Sequence, residues 1–221
     1  MNISFLQFKE SLFQQGIFSV DHIRLLFPDF NTDNLLHWQK KGYIYKLKNK
    51  WYCFKEFTAI TDYHYLVANT IYAPSYISHQ EALLFYGLIP EHIVDSTSIT
   101  TKKTASFNCL NRTYKYYSIC PKYFFGYNLK EILINGISRN FLIADKEKAI
   151  LDFLYIYDFY KSEQDIAEIR FNEVVLEEEV DWKKMEGYLE RFHNKALEKR
   201  IMLIQKIYSL NLTPLNPDRM A

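Results

Sequence analysis

Short polar side chains and lysines are concentrated at two places near the start of the chain, and both kinds suit contacts with DNA. The first place offers amide, hydroxyl and imidazole groups for base edges: Asn31, Thr32, Asn34 and His37. An asparagine amide can pair bidentately with adenine, which is worth about 1–3 kcal/mol of discrimination. The second place offers side chains for the phosphate backbone: Lys41, Lys46, Lys48, Asn49 and Lys50. Lysines placed on phosphates release condensed counterions, which predicts an affinity that falls steeply with salt.

Three helices and a hairpin must position these groups. Helical spacing of apolar residues predicts helices over 3–13 and 20–27, and a third that begins at residue 31 or 32 and stops at Gly42. Two β-rich runs then flank the polar residues 48–50, which predicts a hairpin. This order is that of a winged helix-turn-helix, whose recognition helix enters the major groove by its N-terminal half. Four residues are assigned to its core: Leu35, Trp38, Ile44 and Trp51.

The same features have a second interpretation. A Lys-Asn-Lys turn is also the ordinary composition of a solvated hairpin tip, and short polar residues at 31–34 suit any helix N-terminus. A winged helix can also dock a partner protein, in which case DNA is irrelevant. Both interpretations stay open at this point.

The fold class predicted is α+β, with a winged helix-turn-helix over 1–57 and a mixed α+β domain over 58–221. The second domain is strand-rich over 93–144 and helical over 145–210. Residues 1–57 hold eight Lys and Arg against five Asp and Glu, a net +3, whereas the whole chain carries only +1. Any electrostatic footprint for nucleic acid must therefore be local, and the N-terminal part is where it lies.

Several local signals organise the second domain. A helix is predicted over 63–72, and Ser78 to Glu81 form a capping-box pattern that opens another, closed at Gly87. Strands are predicted over 93–101 and 112–119, and Asn135–Gly136 predicts a tight hairpin turn. Asp145 is placed to cap a helix over 146–159, and at least three more helices are predicted, over about 163–170, 181–192 and 194–209.

No catalytic site, metal site or cofactor is expected. The chain contains no phosphate-binding glycine loop, zinc-protease or nucleophile-elbow motif, and its six histidines lack metal-ligand spacing. Asp145, Glu147 and Asp152 are candidate acid–base groups for an enzyme such as a nuclease. The helical pattern instead favours structural roles, with Asp145 as a cap, Glu147 near the solvent face and Asp152 away from Ala149.

Two further patterns bear on location and on nucleic-acid contact. Three widely spaced cysteines, Cys53, Cys109 and Cys120, predict buried free thiols in a reducing compartment, so a cytoplasmic location without a membrane segment is expected. Tyrosines alternate with basic residues over 112–117, a pattern that suits base stacking or a strand with one buried face.

Three stretches resemble the AbiEi family of type IV antitoxins. They read Leu35-x-x-Trp-x-x-x-Gly-Tyr-Ile, Ile77-Ser-His-Gln-Glu-Ala-Leu-Leu-Phe-Tyr-Gly-Leu-Ile and Ile143-Ala-Asp-Lys-Glu-Lys-Ala-Ile-Leu-Asp. The resemblance covers most of residues 15–160. It implies a transcriptional autorepressor that binds inverted repeats in its own promoter. It also implies an antitoxin that counters a nucleotidyltransferase-like toxin without forming a stable complex with it.

Overall fold

The first unit of the fold combines three short helices with a small sheet. The computed structural model describes residues 3–90, 95–134 and 136–208, over which the chain is mixed α+β, as predicted. The unit contains α1 (Phe5–Leu12), β1 (Ile17–Ser19), α2 (Val20–Leu26), α3 (Asp33–Lys40), β2 (Ile44–Lys48) and β3 (Trp51–Phe54). The strands form an antiparallel sheet in the order β1-β3-β2. The helices and the hairpin match the sequence prediction, whereas β1 was missed because three residues are too few to show an alternating pattern.

Local signals explain where these helices begin and end. The Ser4 and Ser19 hydroxyls accept hydrogen bonds from backbone N–H groups in the first turns of α1 and α2. A short 3-10 turn, Phe13–Gln15, follows α1, and Gly16 then reverses the chain with φ of 70°. An aromatic core joins helices to sheet, with Phe8 against Trp38 and Phe18 against Phe54.

The second unit is built on a six-stranded mixed sheet. Its first part contains two helices and the six strands of the sheet, in chain order α4 (Tyr63–Ile71), β4 (Ser75–Ile77), α5 (Gln80–Phe85), β5 (Ser96–Thr100), β6 (Ala105–Cys109), β7 (Arg112–Ser118), β8 (Tyr127–Ile134) and β9 (Ile137–Ala144). The strand order is β6-β7-β5-β4-β9-β8, with β4–β9 and β5–β7 parallel. Five helices follow: α6 (Lys146–Ile156), α7 (Glu163–Glu168), α8 (Glu173–Glu178), α9 (Trp182–Phe192) and α10 (Lys195–Ile207).

Helices cover the two faces of the larger sheet. On one face the Tyr65 ring of α4 stacks on Phe141 of β9 at 4.7 Å. On the other face the Tyr76 hydroxyl of β4 donates a hydrogen bond to Asp152 of α6 at 2.9 Å. Helices α9 and α10 pack against α6, and Arg200 of α10 donates to backbone carbonyls at and beyond the end of α6.

The hairpin predicted at Asn135–Gly136 and the strand predicted over 93–101 are both largely as expected. Strands β8 and β9 pair up to Ile134 and Ile137, and Gly136 has φ of 75° in the turn between them. Asn135 lies outside the described residues, as do positions 93, 94 and 209 of the predicted strand and last helix. The strand predicted over 93–101 is described as β5 from Ser96.

The predicted capping box at Ser78 is wrong. His79 occupies the N-cap position of α5 without a side-chain bond, and the Ser78 hydroxyl donates instead to Asp152 at 2.7 Å. Thr97 of β5 takes over the cap, since its hydroxyl accepts from the Glu81 N–H at 3.0 Å and donates to the Ser78 carbonyl at 2.8 Å. A residue from a neighbouring strand therefore satisfies the helix start, which no local pattern can reveal.

The placement of α6 corrects a second prediction. Asp145 caps the helix as expected, accepting from the Lys148 N–H at 2.8 Å. Glu147 and Asp152, however, are buried, at 4% and 0% exposure, and not on a solvent face. The reason is that α6 packs against α5, β9, α9 and α10, so that in its first two turns only Lys146 is partly exposed.

Among the described residues, hydrogen bonds from three side chains to backbone carbonyls join the two units. The Tyr63 hydroxyl at the start of α4 donates to the Gly16 carbonyl at 3.3 Å. The Arg139 guanidinium of β9 donates to the Gln14 carbonyl, and the Lys48 ammonium of β2 donates to the Ile71 carbonyl at 3.0 Å. The connecting segment is a 3-10 helix, Lys55–Ala59, that leads directly into α4.

The cysteines and tyrosines singled out in the sequence are placed as follows. Cys53 is buried as predicted, but Cys109 is half-buried and Cys120 is exposed, and all three are free thiols. Tyr114 and Tyr116 are 1% exposed, so their rings belong to the core and are not a stacking surface for bases. Across the residues described, no helix is long and apolar enough to cross a membrane.

Candidate nucleic-acid interface

The start of α3 carries the residues predicted to contact base edges. The Asn31 side chain accepts from the Asp33 N–H at 2.9 Å, whereas Thr32, at the N-cap, makes no capping bond. Asn31, Thr32 and His37 are exposed, and Asn34 is half-buried. Leu35 and Trp38 are buried beneath them and hold the helix against the sheet. Three of the four predicted residues thus lie on the solvent side of α3, but Asn31 already uses one amide acceptor in the turn.

Two other residues share the exposed side of α3. Asp33 brings a negative charge into the first turn, and Leu36 is 61% exposed. A carboxylate there can accept from a cytosine amino group, and an exposed leucine can contact a thymine methyl group. Neither was singled out in the sequence, because both types occur commonly on helices without a role in binding.

The hairpin presents lysines on a short turn. A register shift between Lys46 and Lys48 places Leu47 in a bulge, so Leu47 is buried while Tyr45 and Lys46 are both exposed. Asn49 and Lys50 form the turn itself and are exposed. Lys50 has φ of 68°, a left-handed conformation that costs a non-glycine residue about 1–2 kcal/mol. Its carbonyl accepts from the Val20 N–H at 2.9 Å, which ties the turn to the start of α2.

Lys48 differs from the other hairpin lysines and leaves the predicted set of phosphate contacts. Its ammonium donates to the Ile71 carbonyl and lies over two aromatic rings, Tyr72 at 4.4 Å and Phe107 at 4.0 Å. Burial lowers the pKa of Lys48, and the nearby charge of Lys102 lowers it further. The Lys48 side chain therefore joins the hairpin to the second unit. The sequence pattern that predicts the hairpin gives no sign of this contact.

The remaining cations on this side are not neutralised by carboxylates. Within the described ranges, Lys41, Lys46 and Lys50 have no ion-pair partner, whereas Lys9 on α1 is paired with Glu56. The Lys41 ammonium lies 5.9 Å from the centre of the Tyr43 ring. Exposed, unpaired lysines beside an exposed helix are suited to a polyanion, because no internal ion pair must be broken on binding.

The histidines, cysteines and carboxylates of the described residues form no metal site, and the candidate acid–base groups are held in ion pairs. No group of three or more His, Cys, Asp or Glu side chains able to hold a metal ion occurs among the described residues. Asp145 and Glu147 form ion pairs with Lys184, at 2.9 and 3.0 Å, and Asp152 is paired with Lys148. These carboxylates hold α6 to α9 and to the sheet.

One pair of basic residues near the hairpin was not predicted from the sequence. Lys102 and Lys103, both exposed, lie in the loop between β5 and β6, and the Lys102 ammonium contacts the same Tyr72 ring as Lys48. The only signal in the sequence is a Lys-Lys pair between two strands, which is common in solvated loops. Its relation to the hairpin follows from the packing of β2 near β6.

A comparison with models of known protein families and a comparison with curated proteins both find no match to this chain.

Proposed function

We propose that the N-terminal unit is a winged helix and that the protein binds double-stranded DNA through α3 and the β2–β3 hairpin. The observation that carries this proposal is the exposed side of α3 next to a hairpin whose Lys46 and Lys50 are exposed and unpaired. The order of elements and the β1-β3-β2 sheet support it, since a winged helix has three helices followed by a hairpin wing. Thr32, Asn34 and His37 would contact base edges. Asn31 is less available for such a contact, because its side-chain oxygen already accepts from the Asp33 N–H.

We propose further that the protein is an autorepressor and an antitoxin that counters a nucleotidyltransferase-like toxin without a stable complex. The support is the resemblance, together with the contact between two of its stretches. Ser78 from one stretch donates to Asp152 from the other in the centre of the second unit. Co-expression with the neighbouring reading frame tests this role: growth arrest relieved by this chain supports it, and arrest that persists contradicts it.

DNA binding is tested with the duplex that precedes the chain's own reading frame. A gel shift over a salt series compares this duplex with a scrambled duplex of the same composition. Preference for the native sequence at moderate salt supports promoter recognition, and equal affinity for both duplexes at every salt concentration contradicts it.

The hairpin lysines provide a prediction about salt dependence. Lys46→Ala combined with Lys50→Gly removes two cations, and glycine suits the left-handed φ at position 50. We expect the slope of log K against log[salt] to become shallower by about 0.9 for each lost phosphate contact. Affinity for native and scrambled duplexes should fall together, while the melting temperature stays unchanged or rises slightly.

A matched control carries the same change of charge elsewhere. Lys183→Ala with Lys199→Ala removes two exposed lysines from α9 and α10. This variant is expected to keep the wild-type slope. Equal slopes for the hairpin variant and the wild type would show that the hairpin does not contact phosphates.

One observation favours the alternative of a protein-docking module. Leucines on α2 and α3 are strongly exposed, with Leu25 at 81% and Leu36 at 61%. Exposed apolar side chains in a folded unit are typical of docking surfaces when they form a patch.

The alternative makes its own prediction. Leu25→Ser is expected to abolish co-purification of a docking partner, because about 25 cal/mol is lost for each Å² of apolar contact removed. Under the DNA-binding proposal the same variant binds the promoter duplex as the wild type does. Pull-down from the native lysate and the gel shift, run on one preparation, separate the two.

A further inference from the structure

The loop between β5 and β6 brings a second pair of lysines against the hairpin. Two ammonium groups contact the Tyr72 ring at the end of α4, that of Lys48 at 4.4 Å and that of Lys102 at 5.3 Å from its centre. Lys48 also contacts Phe107 of β6, the strand that follows the loop. The basic side chains of the hairpin therefore continue directly onto the second unit.

Hydrogen bonds fix the shape of this loop. The Thr100 hydroxyl accepts from the Lys102 N–H at 3.2 Å, and the Tyr72 hydroxyl donates to the Lys103 carbonyl at 3.0 Å. At the end of the loop the Thr104 hydroxyl accepts from the Ser118 N–H at 3.1 Å. The backbone of the two lysines is thus held on both sides, and a loop positioned in this way loses little entropy when its side chains bind.

The charges at this junction have no internal counterpart. Lys102 and Lys103 form no ion pair with any described carboxylate, and the salt bridge of Lys115 on β7 with Asp95 involves a different lysine. Like charges held close together raise the energy of the free protein, and the lowered pKa of Lys48 reflects this in part. A polyanion that approaches the hairpin relieves that repulsion.

We propose that Lys102 and Lys103 bind the DNA phosphate backbone beside the hairpin, so that the DNA-binding surface spans both units. This inference rests on the proposed DNA-binding function and deepens it. Lys102 and Lys103 supply phosphate contacts and carry no sequence information. Lys48 and Tyr72 are positioning residues, because they hold the hairpin and the loop in one surface.

The test uses the full chain and the duplex that precedes its reading frame. Lys102→Ala with Lys103→Ala is compared with the wild type, with the hairpin variant Lys46→Ala/Lys50→Gly and with the control Lys183→Ala/Lys199→Ala. We expect the slope of log K against log[salt] to become shallower by about 0.9 per lysine, or about 1.8 in all, with the preference for native over scrambled duplex retained. Hydroxyl-radical footprinting should show a protected tract that is shorter at one end only.

The outcomes separate this inference from the function on which it rests. A loop variant with wild-type slope and footprint, in a protein whose hairpin variant has a shallower slope, overturns the composite surface and leaves DNA binding standing. A wild type that binds neither duplex at low salt overturns both. A Tyr72→Phe variant gives a second measurement, since losing the bond to Lys103 should shorten the same end of the footprint without changing the number of cations.

Discussion

Asp152→Ala is expected to lower the free energy of unfolding by about 3–5 kcal/mol, the usual cost of removing one partner from a buried ion pair. Asp152 and Lys148 are both fully buried, one turn apart on α6, and the Lys148 ammonium is bonded to the carboxylate. Without Asp152 that ammonium is left in the core with the Tyr76 hydroxyl, at 2.9 Å, as its remaining hydrogen-bond partner among the described residues. Chemical denaturation at neutral pH measures the change.

Two further variants show whether the loss comes from the unpaired charge. Burial raises the pKa of Asp152 and lowers the pKa of Lys148, so both charges are costly here and only their pairing makes them tolerable. Lys148→Met combined with Asp152→Leu removes both charges of this pair and is expected to recover at least half of the loss. It does not recover all of it, because the Tyr76 and Ser78 hydroxyls lose their acceptor. A double variant less stable than Asp152→Ala alone would contradict this account.

His79 is expected to make the fold sensitive to mild acid. Its ring is fully buried among Tyr117, Phe153 and Tyr157, and among the residues described neither ring nitrogen has a hydrogen-bond partner. Burial, with a smaller contribution from the charge of Lys115, lowers the pKa of His79 to about 3. The folded state therefore stays neutral at this position at pH values where the unfolded chain is already protonated.

The direction of the pH effect follows from this difference. At pH values above the unfolded pKa, which is near 6.5, the histidine is neutral in both the folded and the unfolded state. Its contribution to the free energy of unfolding is then fully present. As pH falls below 6.5, protonation of the unfolded chain removes about 1.4 kcal/mol per pH unit, or about 2 kcal/mol by pH 5. His79→Leu cannot titrate, so the difference in stability between variant and wild type should shift in favour of the variant by that amount between pH 7 and pH 5. A difference that does not change with pH would contradict the prediction.

The parts of the fold that the sequence predicted well are those governed by local patterns. Asp145 caps a helix that begins where its side chain can reach the first turn, and Gly136 turns the β8–β9 hairpin. These signals act over three or four residues and need no knowledge of distant contacts. The α+β class followed from them.

The parts of the fold and of the candidate interface that the sequence did not predict depend on contacts between residues far apart in the chain. Ser78 looked like a helix cap, but Asp152 on α6 offers a buried carboxylate that takes its hydroxyl. Lys48 looked like a wing-tip cation, but Tyr72 and Phe107 of the second unit attract it. Of the candidate interface, the sequence identified the exposed polar residues of α3 and the hairpin, whereas Lys102 and Lys103 became part of it only through the packing of the two units.

The hydrogen bonds that join the units also bear on how paired DNA sites could be spaced. Tyr63, Arg139 and Lys48 tie the N-terminal unit to the second unit at three points, so α3, the helix proposed to read DNA, has no long tether about which to swivel. Two copies bound to an inverted repeat must then keep the helical phase of its halves, which recur about every 10–10.5 base pairs. Inserting half a helical turn between the halves would place the second copy on the opposite side of the duplex, and a rigid molecule has no means of following it.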